Sequence, residues 1–315
     1  MLNIARLRIL REVALRGSFS AAADALSYTQ SAISQAVATL EAETATELVV
    51  RDRRGLRLTP AGETLVAHAD GILARIEAAE ADLSAIAGVR GGLLRMASFP
   101  TAGATLMPLA IARFRAAHPA VALTLAEGDP EEISPRLRAG EFDLALLFAF
   151  RGSRHGLGPG LDHVELLDDP LHLVLRHDHP LADRPTLRLA DVADEAWIQT
   201  SAASPCARHV VRSCHDAGFE PEVSFESDDY QTVQGLVASG VGVALIPQLA
   251  LSNVGPDVVV RALHPRSPVR QVVAATARGA AVTPAAAAII DILRAVAGQY
   301  AGERAATAAG VRRPP

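Results

Sequence analysis

The sequence GSFSAAADALSYTQSAISQAVATL, residues 17–40, decides the fold of the N-terminal part of the chain. It predicts a short helix over 21–26 that Ser20 caps, and a longer helix over about 30–43. The polar residues 27–29 between them are typical of a tight turn. Another amphipathic helix precedes this stretch. Three helices, the last two joined by a three-residue turn, predict a helix-turn-helix.

The longer helix has a buried face and an exposed face. Ile33, Val37 and Leu40 recur at helical spacing and predict the buried face. The opposite face carries small and amide side chains in the N-terminal half, the half that enters the major groove of DNA in such motifs. Glutamine pairs with adenine through two hydrogen bonds and serine bonds to either base type, although a plain solvated face is the alternative. The exposed face consists of Gln30, Ser31, Ser34, Gln35 and Ala38.

A hairpin is predicted directly after this helix. Residues 48–50 and 56–58 alternate like two short strands around the turn Asp52-Arg53-Arg54-Gly55. Arginines at the tip of a hairpin beside a recognition helix are typical of a wing, which contacts phosphates or enters the minor groove. The alternative is an exposed hairpin that uses arginine for solubility.

The net charge of −5 argues against a nucleic-acid partner, and the first 90 residues hold ten arginines against eleven acidic residues. The arginines are clustered, however, and a local patch can bind DNA where a uniform excess is absent. The chain contains no lysine, which together with its many alanines is typical of a GC-rich bacterial coding sequence. The clusters are Arg6, Arg8, Arg11 and Arg16, and Arg51, Arg53, Arg54 and Arg57.

Thr59 and Pro60 begin a long helix, as its N-cap and its first helical residue. Its apolar residues recur at alternating steps of four and three, which is the heptad seam that packs against a partner helix. Packing on the chain's own domain is the alternative. A break at Gly88–Gly92 follows and mechanically separates this helix from the rest. The seam consists of Leu65, Ala69, Ile72, Ile76, Ala79, Leu83 and Ile86.

After this break, predicted strands and helices alternate, which indicates an α/β domain with a parallel sheet. A Gly-rich stretch, 151–160, interrupts the alternation as a flexible connection. The strands are predicted at 93–98, 121–127, 142–148, 164–167, 171–176, 222–226, 242–247, 258–260 and 270–276. The helices are predicted at 104–117, 131–139, 205–217, 230–239 and 284–300.

Together these features resemble the LysR-type transcriptional regulators over the chain to about Gln299. The most specific part of the resemblance is N-terminal and lies in residues 17–23, 26–34, 40–41, 51 and 58–62. Weaker motifs follow in the expected order at 114–115, 118–119, 171–176, 179–182, 194–195, 197–198, 240–242 and 246–247.

The resemblance implies a winged DNA-binding domain, a dimer formed by the linker helix, and an effector domain of two α/β lobes like the type 2 periplasmic binding proteins. Such chains assemble as homodimers or homotetramers. The wing arginine maps onto Arg51. No lysine or arginine occurs from residue 17 to 50, so phosphate affinity is left to the wing and the first helix. The base-reading positions map onto Thr29, Gln30, Ser31, Ser34 and Gln35.

The expected domain organisation follows from the resemblance and the breaks in pattern. The N-terminal domain is followed by a linker helix with a hinge, then by the two lobes and a flexible tail. The predicted boundaries are 1–59 for the winged helix-turn-helix domain, 60–91 for the linker helix and hinge, about 92–162 with 266–300 for lobe 1, about 163–265 for lobe 2, and 301–315 for the tail.

In two-lobed folds of this kind a ligand lies between the lobes, near strand carboxyl ends and helix N-termini. The segment 98–101 leads into a helix N-terminus, whose free N–H groups favour an anion. A loop of the second lobe offers two more hydroxyls, and two strand ends face the cleft. Ordinary capping and core roles are the alternative. The expected effector contacts are Ser98, Thr101, Phe148, Thr200, Ser201 and Pro247.

Cys206 and Cys214 offer another sensing mechanism, because peroxide-sensing members of the family use two effector-domain cysteines. A helix would hold this pair about 12 Å apart, beyond the ~7 Å Cα separation of a disulfide, and two core residues are the simpler interpretation. His177-Asp178-His179 lacks further ligands at metal-site spacing. We therefore expect no metal and no cofactor.

Other function classes find little support. The chain has no nucleophile elbow, no phosphate-binding loop and no zinc-protease motif, so we expect no enzyme. A secreted solute-binding protein would need an export signal, whereas neither a signal peptide nor a membrane span is apparent. The sequence predicts a cytoplasmic transcriptional regulator. It binds double-stranded DNA, self-associates, and responds to a small-molecule effector, for which an anion is favoured.

Overall fold

The computed structural model of the chain describes residues 2–52, 55–86, 92–150 and 157–308. The predicted N-terminal domain is confirmed: three helices are followed by an antiparallel hairpin in which Val49 pairs with Leu58. Its elements are α1 (Ile4–Arg16), α2 (Phe19–Leu26), α3 (Gln30–Thr44), β1 (Val49–Asp52) and β2 (Gly55–Leu58).

The helix ends of this domain follow local capping chemistry. Asn3 caps α1 through its side chain, and Gly17 ends that helix in the left-handed region with a φ of 61°. The predicted cap of α2 is wrong by two residues. Ser18, whose backbone is extended, accepts the N–H of Ala21, whereas Ser20 already lies inside the helix.

The linker helix α4 (Pro60–Ile86) begins in the core of the N-terminal domain. Leu65 and Ala69 pack there beside Leu7 and Leu10, and Ala69 has no exposed surface. The prediction of a dimer contact is therefore wrong for Ala69 and is weakened for the partly buried Leu65. The reason is that the first turns of the seam cover the chain's own helices.

The middle of the seam remains open. Ile72 is 39% exposed, Ile76 is partly exposed and Ala79 is exposed. The side chain of Leu83 lies outside the described part of the chain. A partner helix can therefore reach α4 at Ile72, Ile76 and Ala79.

From residue 93 the chain forms an α/β domain with a curled, mixed sheet. The sheet has the strand order β10-β6-β11-β5-β3-β4, with β9 also paired to β6, and β7 and β8 form a separate parallel pair. The strands are β3 (Leu93–Ser98), β4 (Ala122–Glu127), β5 (Leu144–Phe150), β6 (Leu161–Arg176), β7 (Ala196–Gln199), β8 (Glu222–Glu226), β9 (Ala244–Pro247), β10 (Val258–Arg261) and β11 (Val269–Ala277). The helices are α5 (Pro100–Ala117), α6 (Pro130–Ala139), α7 (Pro205–Asp216), α8 (Tyr230–Ala238) and α9 (Pro284–Ala308).

One strand joins the two lobes. The sequence predicts two strands at 164–167 and 171–176, but β6 is continuous. Up to Pro170 it pairs with β11 of lobe 1, and after Pro170 it pairs with β9 and β10 of lobe 2. Proline has no N–H to donate to a ladder, so a strand can change partners there. The boundary between the lobes therefore lies at Pro170 rather than near residue 162.

Other boundaries also differ from prediction. Helix α5 begins four residues early, because Pro100 occupies its first position. Strand β7 was not predicted. Helix α9 continues through residues 301–308, which were expected to belong to a flexible tail. Residues 309–315 of that tail and 151–156 of the Gly-rich connection lie outside the described residues.

The linker helix touches the effector domain directly. A Cβ added at Gly71 would lie 2.6 Å from the carbonyl oxygen of Ala139, at the end of α6. The guanidinium Nη1 of Arg95 on β3 donates to the carbonyl of Ala74 at 3.2 Å. The predicted mechanical separation is therefore wrong on this side of the molecule. The break itself, at 87–91, lies outside the described residues.

Gly62 allows α4 to pack against the residue that precedes β1, because a Cβ there would lie 2.1 Å from the backbone oxygen of Leu48. We expect Gly62→Ala to lower the free energy of unfolding by roughly 1–3 kcal/mol through overpacking, measured by urea denaturation. Gly298→Ala in α9 is the matched control, since no atom lies within 4 Å of its added Cβ. It should raise stability by up to about 1 kcal/mol. Equal effects in both variants would contradict this close packing.

Candidate functional site

The face of α3 that the sequence predicts to contact bases is open to solvent. Gln30, Ser31 and Gln35 are exposed and Ser34 is half-buried. Thr29 caps α3 and its hydroxyl shares a 3.0 Å hydrogen bond with Ser31. Within the described residues the side chains of Gln30, Ser34 and Gln35 form no hydrogen bonds, so their polar groups are available to a base edge.

The arginines of α1 contribute less free charge than the sequence implied. Three of the four form ion pairs inside the chain at 2.8–3.0 Å, so their charge is already compensated. Arg8 is exposed and has no ion pair among the described residues. Of the α1 arginines that were predicted to bind phosphates, only Arg8 therefore has an unpaired charge among the described residues. The three pairs are Arg6–Glu43, Arg11–Asp70 and Arg16–Glu12.

The wing is fastened to α3 by a residue to which the sequence analysis gave no role. The carboxylate of Glu41 accepts two backbone N–H groups at the start of the hairpin, at 2.8 and 3.2 Å. The Leu40-Glu41 motif was its signal in the sequence. Arg51 lies on β1, but its side chain is outside the described part, as are Arg53 and Arg54 altogether. Their DNA contacts remain predictions.

A second site is a cavity of about 190 Å³ between the two lobes. The N-terminal ends of four helices reach it: α5 and α6 from lobe 1, α7 and α8 from lobe 2. Helices α5 and α6 both begin with proline and have no side-chain cap, so their N-termini favour an anionic group. The lining residues are Phe99, Pro100, Thr101, Asp129, Phe148, Thr200, Ser204, Cys206, Asp228, Tyr230 and Arg270.

Arg270 on β11 forms part of the wall of this cavity and is only 2% exposed. Its Nε donates to Asp169 at 2.6 Å, and its Nη2 donates to the hydroxyl of Thr101. Its Nη1 lies 3.7 Å from the sulfur of Cys206. Asp169 also accepts the backbone N–H of Leu249 at 3.0 Å. This ion pair therefore holds elements of both lobes at the point where β6 crosses between them.

The charge of Arg270 is compensated before any ligand binds. Burial by itself lowers the pKa of a guanidinium, but the carboxylate of Asp169 raises the pKa of Arg270 above its ordinary value. The rings of Phe99 and Phe148 lie 4.9 and 4.8 Å from the guanidinium carbon, within cation–π range. The Asp169–Arg270 ion pair therefore belongs to the structural core of the domain, and Arg270 also forms part of the cavity wall.

Two further contacts cross between the lobes on α7. Arg208 forms an ion pair with Glu131 of α6. His209 stacks on Phe150 of β5 with 3.7 Å between ring centroids and 8° between planes. Burial, with Arg212 nearby, lowers the pKa of His209 to about 4, so the stacked ring is neutral at pH 7.

The structure brings together half of the predicted effector contacts. Thr101, Phe148 and Thr200 line the cavity. The other three predictions are not supported. The hydroxyl of Ser98 is buried and donates to a backbone carbonyl, and Pro247 is enclosed in the pairing of β9 with β6. Ser201 contributes only a backbone N–H that Asp228 accepts at 2.9 Å.

Most of the polar residues in the cavity wall were not predicted from the sequence. Arg270 had a visible signal, since it is the one charged residue in the apolar stretch 269–277. Asp129 and Asp228 had none, because each lies in a polar loop that ends at a helix. Their position depends on how the two lobes face each other.

A larger cavity, of about 650 Å³, lies between β6 and the C-terminal part of α9. Its polar lining consists of Asp168, Asp169, His172, Gln248, Tyr300 and Arg304, and the other lining residues are apolar. The hydroxyl of Tyr300 and the guanidinium of Arg304 already donate to backbone carbonyls. The smaller cavity is the candidate effector site, since it lies between the lobes where four helix N-termini meet.

A family model described as "LysR substrate binding domain" matches residues 87–298, and one described as "Bacterial regulatory helix-turn-helix protein, lysR family" matches residues 4–63. The chain belongs to the LysR family. The proposed resemblance is thereby confirmed for both parts of the chain.

LysR-family relatives cover nearly the whole chain. A probable HTH-type transcriptional regulator LrrA of Synechococcus elongatus is 33% identical over 298 residues, 94% of this chain and 98% of that one. A probable hydrogen peroxide-inducible genes activator of Mycobacterium avium is 32% identical over 254 residues, 79% of each. Full-length CbnR with its target DNA shares the fold, with a TM-score of 0.68 and 22% identity over 94% of this chain and 100% of that one.

The two cysteines of this LysR-family chain lie on one helix. Cys206 and Cys214 are both buried in α7. Burial raises the pKa of the Cys206 thiol, although Arg270 opposes the shift, and it raises the pKa of Cys214 to about 12. Within the described ranges, no group of three or more ionisable side chains is arranged to hold a metal, and no helix could cross a membrane.

The Asp169–Arg270 pair yields a stability prediction. We expect Asp169→Asn to lower the free energy of unfolding by roughly 3–5 kcal/mol, because it leaves a buried guanidinium uncompensated. Asp162→Asn is the matched control on the same strand. It breaks an exposed 3.0 Å pair with Arg278 and should cost at most about 1 kcal/mol. Urea denaturation of the full chain measures both, and similar losses would refute the special role of the buried pair.

Proposed function

We propose that this protein controls transcription by binding an operator through α3 and the wing, and that a small molecule in the cavity between the lobes changes this binding. The proposal rests on the presence of two features in one chain. A solvent-open recognition face lies at one end, and a two-lobed domain with a polar cavity at its hinge lies at the other. We expect the protein to act in the cytoplasm, and through binding rather than catalysis.

Base reading is assigned to Gln30, Ser34 and Gln35, because their side chains have no partners within the described residues. Thr29 and Ser31 bond to each other at the helix start and are better placed for the sugar-phosphate backbone. Arg51, Arg53 and Arg54 supply phosphate contacts from the wing. Arg8 adds one exposed charge from α1, since its neighbours are paired inside the chain.

The route from cavity to DNA runs through α6. This helix follows Asp129, its N-cap residue in the cavity wall, and ends at Ala139, where Gly71 of the linker helix packs on it. A change in lobe closure at one end of a rigid ten-residue helix displaces the linker helix at the other. We infer that the effector alters the angle between paired DNA-binding domains, with a coupling of about 1–3 kcal/mol, as is typical of allostery.

Thiol redox sensing is the second candidate mechanism. Cys206 lines the cavity beside Arg270, and the Mycobacterium avium relative is named a probable hydrogen peroxide-inducible genes activator. Two features favour a bound effector instead. The raised pKa values leave little reactive thiolate, and a disulfide with Cys214 would require α7 to unwind.

Self-association is assigned to the open part of α4. We expect the double variant Ile72→Asp, Ile76→Asp to lose dimerisation, because two carboxylates would be buried at a helix–helix contact. Analytical ultracentrifugation measures the change. Val282→Asp, which alters an apolar residue that is 51% exposed outside α4, should sediment like the wild type. A double variant with unchanged sedimentation would place the interface elsewhere.

The DNA-binding assignment predicts a loss of specificity. Gln30→Ala should weaken binding to the operator by about 1–3 kcal/mol while binding to random DNA changes little, measured by gel shift with the two DNAs at one salt concentration. Thr39→Ala is the control in the same helix, since its hydroxyl bonds to the backbone carbonyl of Gln35. It should leave both affinities unchanged. Equal losses on operator and random DNA for Gln30→Ala would contradict base reading by this residue.

A further inference from the structure

Asp129 occupies the N-cap position of α6 but does not cap the helix. Aspartate is a preferred N-cap residue because its carboxylate accepts backbone N–H groups of the first turn. Here the half-buried carboxylate faces the cavity and has no hydrogen bond or ion pair among the described residues. The Asp129 carboxylate lacks the backbone N–H partners that are usual for an N-cap residue. It is therefore available to a ligand.

Asp228 lines the same cavity from the other lobe, in the loop before α8. Burial raises the pKa of Asp129, and the carboxylates of Asp228, Glu132 and Glu131 raise it further, while Arg270 opposes them. Carboxylates from the two lobes thus line one cavity, and the charge of Asp228 disfavours the ionised form of Asp129.

Among the described residues, the cations near the cavity do not neutralise this pair. Arg270 is engaged by Asp169, and Arg208 is engaged by Glu131. No lysine exists in the chain to take their place. Asp129 and Asp228 therefore leave a local excess of two negative charges in a cavity that helix N-termini also line.

The same cavity also has unused hydrogen-bond donors. Thr200 is 7% exposed and lines the cavity, yet its hydroxyl has no hydrogen-bond partner among the described residues. The backbone N–H groups of Thr101 and Ala102, at the uncapped start of α5, are likewise unbonded there. Hydroxyl and N–H donors at a helix start suit a carboxylate.

We propose that the effector is a small zwitterion of amino-acid type, whose primary ammonium group lies between Asp129 and Asp228 and whose carboxylate caps α5 beside Thr200. This inference rests on the proposed function, since it names the ligand of the same cavity. The volume of about 190 Å³ fits such a metabolite, as it lies below the roughly 300–1,000 Å³ of sites for larger ligands. The ammonium group relieves the repulsion between the lobes and so favours closure.

The first test needs no ligand. If the two carboxylates repel each other across an empty cleft, Asp129→Asn and Asp228→Asn should each raise the Tm of the full-length protein by on the order of 2 °C at pH 7 and low salt. Added salt should shrink this gain, because screening weakens the repulsion in the wild type. Asp194→Asn, which changes an exposed carboxylate outside the cavity, should leave the Tm unchanged. Absence of a gain in both cavity variants would overturn the proposal.

The second test uses matched compounds. The twenty amino acids are titrated by calorimetry into the full-length protein, each beside the 2-hydroxy acid and the simple carboxylic acid of the same skeleton. At least one amino acid should bind, its deaminated partners should bind tenfold or more weakly, and Asp129→Asn should weaken binding by a similar factor. The Asp194→Asn protein should bind like the wild type.

These experiments distinguish failure of the ammonium subsite from failure of the proposed effector site. If hydroxy or simple acids bind as tightly as the amino acids and Thr200→Val abolishes their binding, the cavity is an effector site but the ammonium subsite is refuted. If Mg²⁺ or Ca²⁺ alone stabilises the wild type but not Asp129→Asn, the carboxylates hold a metal and the proposal is overturned. If a compound that alters operator binding binds Thr200→Val and Asp129→Asn unchanged, the proposed effector site itself fails.

Discussion

The buried ion pair between Arg270 and Asp169 is the constraint on which the effector domain depends. A guanidinium with almost no exposed surface is tolerated only where its charge is compensated and its N–H groups have partners. Those partners come from β6, α5 and α7, so the pair fixes both lobes around the strand that crosses between them. It also removes Arg270 as a free cation, which leaves the cavity to be defined by helix N-termini, hydroxyls and two uncompensated carboxylates.

The packing connects the cavity between the lobes to the linker helix. Four helices start at the cavity, and one of them, α6, ends against the linker helix. The contact at Gly71 is so close that no side chain fits between the helices, so a displacement of α6 cannot be absorbed there by side-chain rearrangement. A small change in the distance between the lobes therefore reaches the helix that carries the DNA-binding domain. The open residues Ile72, Ile76 and Ala79 lie on that same helix.

Sequence patterns predicted the N-terminal domain well because its structure is local. The turn at 27–29, the helix from Gln30 and the hairpin after it depend on caps, short-range spacing and a single apolar stripe. Sequence patterns gave wrong predictions where one pattern is compatible with two different structures. The heptad spacing of Leu65 and Ala69 fits a partner helix and the chain's own core equally well, and only the packing of α1 against α4 distinguishes them. The arginines of α1 looked like a free basic cluster because the acidic partners of Arg6 and Arg11 are distant in sequence.

By itself the sequence determined the family, the order of the domains, the exposed face of α3 and three of the cavity residues, since these follow from motifs and from strand and helix ends. Only the tertiary structure decided which charges are free. Asp169 and Arg270 are 101 positions apart, and Asp129 and Asp228 belong to different lobes, so no spacing rule connects them. Which charges compensate each other depends on distances across the fold. The path of β6 between the lobes sets those distances, because it brings the N-terminal ends of the helices together.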